Sequence, residues 1–231
     1  STPDFPKQFL PFFGAKSLLQ QTIERIEPLV PVNNVFIVTN ERYKAIILEQ
    51  VPTMPEENIL CEPQAKNTAP CVLLATRRIL MEDKKASMAV LPADHYITQP
   101  EAFGSVLKAA FEHAEQSETL TTVGIQPNRP ETGYGYIQFK AASKQSVGSE
   151  AVMRVEAFKE KPDEATAQKF LDAGNYLWNS GMFIWSAEVI NKAFGSYATA
   201  LSTLADQYLQ SPADFSVGAK GMVSFFDEFI S

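Results

Sequence analysis

Apolar and polar positions recur along the chain with two periods, one typical of helices and one of strands. Helical spacing predicts helices over 17–26, 41–50, 67–81, 100–116, 163–173, 187–194 and 198–209. Short apolar runs predict strands over 35–39, 88–91, 120–125, 136–139, 152–158 and 182–185. Alternating strands and helices form mostly parallel sheets with helices on both faces. The sequence therefore predicts an α/β fold in which the later strands extend one edge of the same sheet.

The apolar run over 88–91 is followed by polar residues that could bind a metal ion or take part in catalysis. The run stops at Pro92, and Asp94 and His95 follow at once. In open α/β sheets ligands bind beyond the carboxyl ends of the strands, which makes Asp94 a candidate metal ligand or catalytic group. Spacing alone leaves a second interpretation open, in which Asp94 only caps a turn.

Composition narrows the class of protein without choosing a function. The net charge of −7 argues against a nucleic-acid-binding surface, and no apolar run approaches the length of a membrane helix. Cys61 and Cys71 are the only cysteines and His95 and His113 the only histidines, so neither a disulfide framework nor a zinc site is indicated. We expect two buried thiols in a protein of the reducing cytoplasm.

Two further stretches place polar groups where a phosphate or a nucleoside could bind. Lys7 offers a positive charge to a phosphate, although a solvated loop lysine explains it as well. Glu62, Asn67 and Thr68 lead into a helix whose amino terminus would attract anions and whose neighbouring amides could contact a base. Plain helix capping accounts equally well for Asn67 and Thr68.

Three later stretches suit a sugar phosphate. Gly133 and Gly135 would let the backbone approach a sugar ring, although a hairpin turn is the simpler explanation. Glu160 could accept hydrogen bonds from hydroxyls while Lys161 meets a phosphate, but the two could also form a surface ion pair. Asn179 offers both donors and acceptors, and we expect the tryptophan before it to pack rather than to stack on a ligand.

The order of these motifs carries a resemblance to a known family. In one-letter code they are PKQF at 6–9, EPQAKNTAP at 62–70, LPADH at 91–95, ETGYGYI at 131–137, EKP at 160–162 and WNSGMF at 178–183. Together they resemble the sugar-nucleotide pyrophosphorylases, most closely the bacterial mannose-1-phosphate guanylyltransferases. The match covers nearly the whole chain, although the segment after about Ala198 contains no matching motif.

The resemblance implies a Rossmann-like nucleotidyltransferase fold and a magnesium-dependent reaction. An oxygen of mannose-1-phosphate would attack the α-phosphorus of GTP, and pyrophosphate would leave. By the same resemblance, Asp94 would hold Mg²⁺ and Lys7 would balance the triphosphate charge. The implied nucleotide-binding residues are Lys7, Glu62, Asn67, Thr68 and Asp94. The implied sugar-phosphate-binding residues are Gly133, Tyr134, Glu160, Lys161 and Asn179, and the implied catalytic residues are Lys7, Asp94 and Lys161.

The chain departs from the family pattern at both ends. The family has a glycine-rich loop with an arginine shortly before PKQF and a second metal-binding aspartate on a later strand. The chain starts too late for the loop, and no stretch near Asp227 matches the second motif. We therefore expect a single nucleotidyltransferase domain over 1–231 that is incomplete at both ends.

Three functions stay open at this stage. The first is GDP-mannose synthesis, and the second is the same chemistry with another sugar-1-phosphate and nucleotide. The third is a non-catalytic, nucleotide-sugar-binding regulatory subunit, which the missing loop would suit. A Rossmann dehydrogenase is disfavoured because no Gly-x-Gly-x-x-Gly follows any strand. We expect small-molecule substrates and a homodimer, with no nucleic-acid or membrane partner.

Overall fold

A computed structural model of the chain describes residues 5–229. The outermost residues of the predicted domain, 1–4 and 230–231, lie outside the described residues. The helices are α1 (Leu18–Ile26), α2 (Lys44–Gln50), α3 (Thr68–Glu82), α4 (Pro100–Gln116), α5 (Glu164–Ala173), α6 (Ala187–Tyr197), α7 (Thr199–Tyr208) and α8 (Lys220–Glu228). The strands are β1 (Ile37–Asn40), β2 (Ile59–Glu62), β3 (Ser87–Val90), β4 (Thr121–Ile125), β5 (Tyr136–Val147), β6 (Glu150–Lys159) and β7 (Tyr176–Ser186).

These strands form two sheets. β1 and β2 pair in parallel, with Ile37 opposite Ile59. The second sheet has the order β3-β7-β5-β6, and β4 also pairs with β7. The pairings of β4 with β7, β5 with β6 and β5 with β7 are antiparallel. Helices and mixed sheets confirm the predicted α/β class.

The expected arrangement of the later strands needs a correction. They do not extend the edge of one sheet that also contains β1, because β1 pairs with β2 in a separate two-stranded sheet and β7 lies between β3 and β5. The antiparallel pairings also depart from a mostly parallel sheet. One cause is local: only Gly148 and Ser149 separate β5 from β6, and a turn this short can only join antiparallel strands. Gly148 has φ of +58°, a conformation that favours glycine in such hairpins.

The described chain divides into two compact units. The first unit contains residues 5–88, 93–104 and 186–229, and the second contains 89–92 and 105–185. In the first, α1 presents its apolar stripe to a cluster that includes Phe9, Ile47 and Ile59. In the second, Tyr136, Ala167 and Trp178 form a smaller cluster. The single domain predicted from the sequence stays a prediction.

The sequence did not predict β2 or α8. β2 has only four residues and precedes a proline-containing loop, so its apolar run resembled a connection. α8 lies in the aromatic-rich end of the chain, and its Met222, Phe225 and Phe226 are fully or almost fully buried. Within residues 5–229, no helix has the length and apolarity needed to cross a membrane.

A glycine substitution tests the packing of α8. A Cβ on Gly221 would lie 2.3 Å from the backbone oxygen of Tyr208 and 2.8 Å from Asp214 Oδ1. Because a backbone oxygen cannot move away cheaply, Gly221→Ala should lower the free energy of unfolding by about 2 kcal/mol or more. Gly195→Ala in α6 is the matched control, since the nearest neighbour there is 4.0 Å away. The control should be neutral or stabilising in urea denaturation, and equal effects at the two positions would contradict the packing.

Candidate active site

Asp94 follows β3 and pairs with a lysine from the amino-terminal segment. Lys7 Nζ lies 2.7 Å from Asp94 Oδ2, and the Asp94 side chain is 28% exposed. Lys7 begins a 3-10 turn that ends at Phe9, whose buried ring packs against Tyr43 at 5.5 Å between ring centroids. Burial of Phe9 thus fixes the backbone next to Lys7. The structure places two of the predicted site residues in direct contact.

His95 contributes a neutral neighbour to this pair. Its Nε2 lies 3.9 Å from Asp94 Oδ1. Burial lowers the pKa of His95, the charges of Lys7 and Arg25 lower it further, and the charge of Asp94 opposes the shift. The imidazole is therefore uncharged near pH 7, and the nearby charges come from Lys7, Arg25 and Asp94. Arg25 was missed by the sequence analysis because it sits on α1, away from every motif.

Glu62 ends β2 with an unusual carboxyl group. Burial raises the pKa of Glu62 to about 7, and its Oε1 is buried without a hydrogen-bond partner among the described residues. Burial together with the charge of Glu62 raises the pKa of Cys71 to about 12. A thiol with so high a pKa stays protonated and is a poor nucleophile. Cys61 is buried and Cys71 half-buried, and both are free thiols, which agrees in part with the predicted two buried thiols.

Asn67 precedes α3 in a strained conformation. Its φ of 66° and ψ of −170° fall in a region that is almost exclusive to glycine. Asn67 occupies the N-cap position but its side chain makes no capping hydrogen bond to α3. The capping explanation that the sequence left open for Asn67 therefore does not hold. Thr68 is the first residue of the helix and lies beside the strained position.

Glu160 and Asn179 meet at a glycine in the second unit. A Cβ on Gly135 would lie 3.2 Å from Glu160 Oε2 and 3.6 Å from Asn179 Cβ. The contact arises because β5 pairs with β6 on one side and with β7 on the other. The Asn179 Oδ1 accepts a hydrogen bond of 3.0 Å from the backbone N–H of Gly181. Two predicted sugar-binding residues thus flank one backbone position.

The loop before β5 contains Gly133 and Tyr134, and Lys161 follows the end of β6. The N–H of Gly133 donates to Glu131 Oε1 at 3.0 Å, and Tyr134 meets Trp178 edge to face at 5.4 Å. Lys161 Nζ lies 3.5 Å from Glu160 Oε1, and both side chains are exposed. This is the surface ion pair that the sequence left open, and such a pair is weak and easily rearranged.

Backbone strain coincides with the predicted ligand residues. Within residues 5–229, Asn67 and Lys161 are the non-glycine residues with positive φ, at 66° and 32°. Strained backbone tends to persist where function requires it, because folding alone selects against it. The motifs that contain Asn67 and Lys161 do not themselves indicate a positive φ.

The sequence motifs assigned no role to Arg129 or Glu131, which contact residues of the predicted sugar region. The Arg129 guanidinium lies 5.2 Å from the centre of the Trp178 ring, and Arg129 Nη2 lies 3.0 Å from Glu131 Oε2. The Gly133 N–H and Arg129 hold the pKa of Glu131 below its ordinary value. Trp178 itself is buried, which confirms the predicted packing role. The short distance in sequence between Arg129 and the Glu-Thr-Gly motif was the available signal.

Comparison with known proteins decides the family. A family model for nucleotidyl transferase matches residues 2–217. The chain belongs to the nucleotidyl transferase family.

The Rossmann-like nucleotidyltransferase fold also has solved counterparts. The chain superposes on mannose-1-phosphate geranyltransferase from Thermus thermophilus with a TM-score of 0.81 and 29% identity, over 98% of this chain and 62% of that one. With mannose-6-phosphate isomerase from Helicobacter pylori the TM-score is 0.73 at 30% identity, over 89% and 75%.

Curated relatives of this nucleotidyl transferase are longer than the chain. Alginate biosynthesis protein AlgA of Pseudomonas aeruginosa is 41% identical over 189 residues, which are 81% of the chain and 38% of the relative. Mannose-1-phosphate guanylyltransferase of Escherichia coli is 39% identical over 186 residues, 80% of the chain and 39% of the relative. Xanthan biosynthesis protein XanB of Xanthomonas campestris is 42% identical over 189 residues, with the same coverage as AlgA. The chain spans about two fifths of the length of these relatives.

Asn67 gives the first test of this site in the nucleotidyl transferase. Because φ is positive there, Asn67→Gly should keep or raise the melting temperature, whereas Asn67→Ala should lower stability by about 1 kcal/mol. If Asn67 served as an ordinary helix cap, alanine would again cost about 1 kcal/mol, but glycine would give no stability gain. A glycine variant less stable than the alanine variant would contradict the strain.

Glu62 gives a pH-dependent test. Its pKa is about 7 in the folded protein and near 4.5 when unfolded, so the folded state binds more protons between these values. The free energy of unfolding should therefore fall as pH rises from about 4.5 to 7, and level off above 7. Glu62→Gln should remove this fall, which is on the order of 1 to 2 kcal/mol once solvent screening of a partly exposed group is allowed for.

The control for Glu62 is Glu49→Gln, an exposed position on α2. Urea denaturation at pH 5 and pH 8 measures both variants against the wild type. Parallel pH profiles for wild type and Glu62→Gln would contradict the burial of this carboxyl group.

Proposed function

We propose that the chain carries the nucleotidyl-transfer site of a mannose-1-phosphate guanylyltransferase, which makes GDP-mannose and pyrophosphate from GTP and mannose-1-phosphate. The observation that carries the proposal is the 2.7 Å pairing of Lys7 with Asp94 just beyond β3. It joins a cation and a carboxylate where open α/β sheets bind ligands. Relatives named for guanylyl transfer to mannose-1-phosphate support the substrates.

The chemistry asks for charge balance and alignment rather than for a covalent intermediate. An oxygen of the sugar phosphate forms a bond to the α-phosphorus of GTP, and the bond from that phosphorus to the pyrophosphate oxygen breaks. In this proposal the Lys7 ammonium turns from Asp94 to the triphosphate. Arg25 adds positive charge near His95. His95, whose pKa is lowered by burial, adds little positive charge near pH 7.

Asp94 is a single carboxylate that would bind a magnesium ion together with substrate phosphates. Members of this family generally use a divalent metal ion. Within residues 5–229 no cluster of three or more His, Cys, Asp or Glu side chains could hold a metal. Mg²⁺ commonly binds through one or two carboxylates together with substrate phosphates and water. Asp94 would supply the carboxylate, and the bound ion would neutralise charge on the phosphates.

The nucleoside side of the site would use Glu62, Asn67 and Thr68. Guanine presents N–H donors on one edge, and the Glu62 carboxyl group has a buried oxygen that lacks a donor among residues 5–229. The Asn67 amide makes no helix cap, so its hydrogen bonds are available to a ligand. The amino terminus of α3, at Thr68, favours negative charge.

In the second unit, the residues around Gly135 would bind the sugar phosphate. Glu160 and Asn179 would take hydroxyl groups, with Gly133 and Tyr134 lining the approach. Lys161 would leave its weak pair with Glu160 to meet the sugar phosphate. Small polar differences at these positions set sugar and base choice, so another sugar-1-phosphate and nucleotide pair is the alternative substrate set. A homodimer and a cytoplasmic location remain predictions.

The proposal is tested by pyrophosphate release with Mg²⁺ across a matrix of nucleoside triphosphates and sugar-1-phosphates, using the protein at its natural length. We expect release with GTP and mannose-1-phosphate. Asp94→Asn should lower kcat by about a hundredfold or more, because a charge that acts on the reacting phosphates is lost. Asp172→Asn on α5, an exposed position, is the control and should leave kcat unchanged.

Each other result has a defined meaning. Release with a different pair would replace the substrates and keep the reaction. No release with any pair would favour a nucleotide-sugar-binding regulatory role. A fully active Asp94→Asn variant would overturn the assignment of Asp94.

A further inference from the structure

Phe13 and Tyr96 form a ring stack between the segments that contain Lys7 and Asp94. Their centroids are 3.8 Å apart and their planes differ by 21°. The side chains are not core residues, because Phe13 is 52% and Tyr96 48% exposed. Phe13 lies in the segment that follows Lys7, and Tyr96 lies two residues after Asp94. The stack therefore joins the same two segments as the ion pair.

The ion pair alone holds the Lys7 segment and the Asp94 loop together only weakly. Lys7 is 58% exposed at its side chain, and exposed pairs of this kind contribute little because a long side chain must be ordered and solvent screens the charges. Ala93, next to Asp94, packs against the apolar cluster that contains Phe9, and the ring stack is a second contact between the loop after β3 and the Lys7 segment. Face-to-face aromatic contact supplies attraction that solvent ions do not screen.

Hydrogen bonds from α1 hold the backbone around Phe13 in place. Gln21 Nε2 on α1 donates to the Phe13 carbonyl at 3.1 Å and to the Lys16 carbonyl at 2.9 Å. Gly14, the next residue, has φ of +96°, which a residue with a side chain adopts only with strain. α1 thus holds Phe13 on one side while buried Phe9 holds the segment on the other. The segment is anchored independently of Asp94, so the stack transmits that anchoring to the loop of Asp94.

We propose that Phe13 and Tyr96 are positioning residues, whose stack holds the Asp94 loop against the Lys7 segment so that carboxylate and ammonium face the same phosphates. The expected effect on the rate of nucleotidyl transfer rests on the proposed function. The expected effect on the positions of Asp94 and Lys7 does not. It assigns neither ring a contact with substrate. The effect on catalysis runs through Asp94 and Lys7.

The test compares Phe13→Ala and Tyr96→Ala with Phe12→Ala, since Phe12 is the neighbouring ring and is 53% exposed. One readout is kcat for nucleotidyl transfer, and a second is the labelling rate of the Lys7 amine with an amine-reactive reagent, measured by peptide mass spectrometry. Loss of the stack should lower kcat by roughly threefold to tenfold, about the strength of one aromatic pair. It should raise Lys7 labelling at least twofold, while Phe12→Ala matches the wild type in both readouts.

Two further comparisons separate positioning from general destabilisation. Phe13→Tyr and Tyr96→Phe keep the rings and should recover at least half of kcat, whereas Phe13→Leu should not. The double variant Phe13→Ala/Tyr96→Ala should lose no more than either single variant, because both remove one contact. In a Lys7→Met background, Phe13→Ala should have a smaller effect on kcat than in the wild type.

The labelling readout keeps the two proposals apart. If the wild type transfers no nucleotide with any pair, the proposed function fails, and labelling still decides whether the stack positions Lys7. Wild-type labelling in both alanine variants overturns the positioning proposal whatever the rates. In an active enzyme, an unchanged kcat in Phe13→Ala and Tyr96→Ala also overturns it.

Discussion

The contact between Lys7 and Asp94 is the constraint on which the proposed chemistry depends. It holds a cation and an anion at 2.7 Å although both side chains are partly exposed. Solvent screening makes such a pair weak, so the backbone must bring the two groups together. Burial of Phe9 fixes one side and the end of β3 fixes the other. The pair is therefore a product of the fold, and a phosphate that recruits Lys7 has only a weak contact to displace.

The first unit also contains features that folding alone would not select. Glu62 has a buried carboxyl oxygen with no donor in the part of the chain that the structure describes, and Asn67 has a backbone conformation suited to glycine. Each feature costs stability, on the order of 1 to 3 kcal/mol for strained backbone. A ligand that satisfies Glu62 and contacts the Asn67 amide would offset part of that cost. Such local conflicts are expected where a site is prepared for a ligand.

The sequence predicted the elements with strong periodicity but not the pairing of the strands. α4 has the predicted bounds, and α1 begins one residue after Ser17, which caps it, because both helices have clear apolar stripes. β7 is longer than the predicted strand. Its residues Asn-Ser-Gly at 179–181 resemble a turn in sequence but lie within the strand. The meeting of Glu160 and Asn179 at Gly135 depends on which strands pair with β5, and a single sequence contains no direct signal for that. Motif order located the candidate residues, while backbone strain and burial emerged only from the structure.

A crystal structure with GTP and Mg²⁺ would test the central claim most directly. The account predicts Mg²⁺ about 2.1 Å from an Asp94 carboxylate oxygen, with Lys7 Nζ moved from Asp94 to a phosphate oxygen. The ordered contacts around Phe9 and β3 should stay as they are, because the fold already places the two groups. A metal ion bound away from Asp94, with the Lys7–Asp94 pair still closed on a bound nucleotide, would contradict the account.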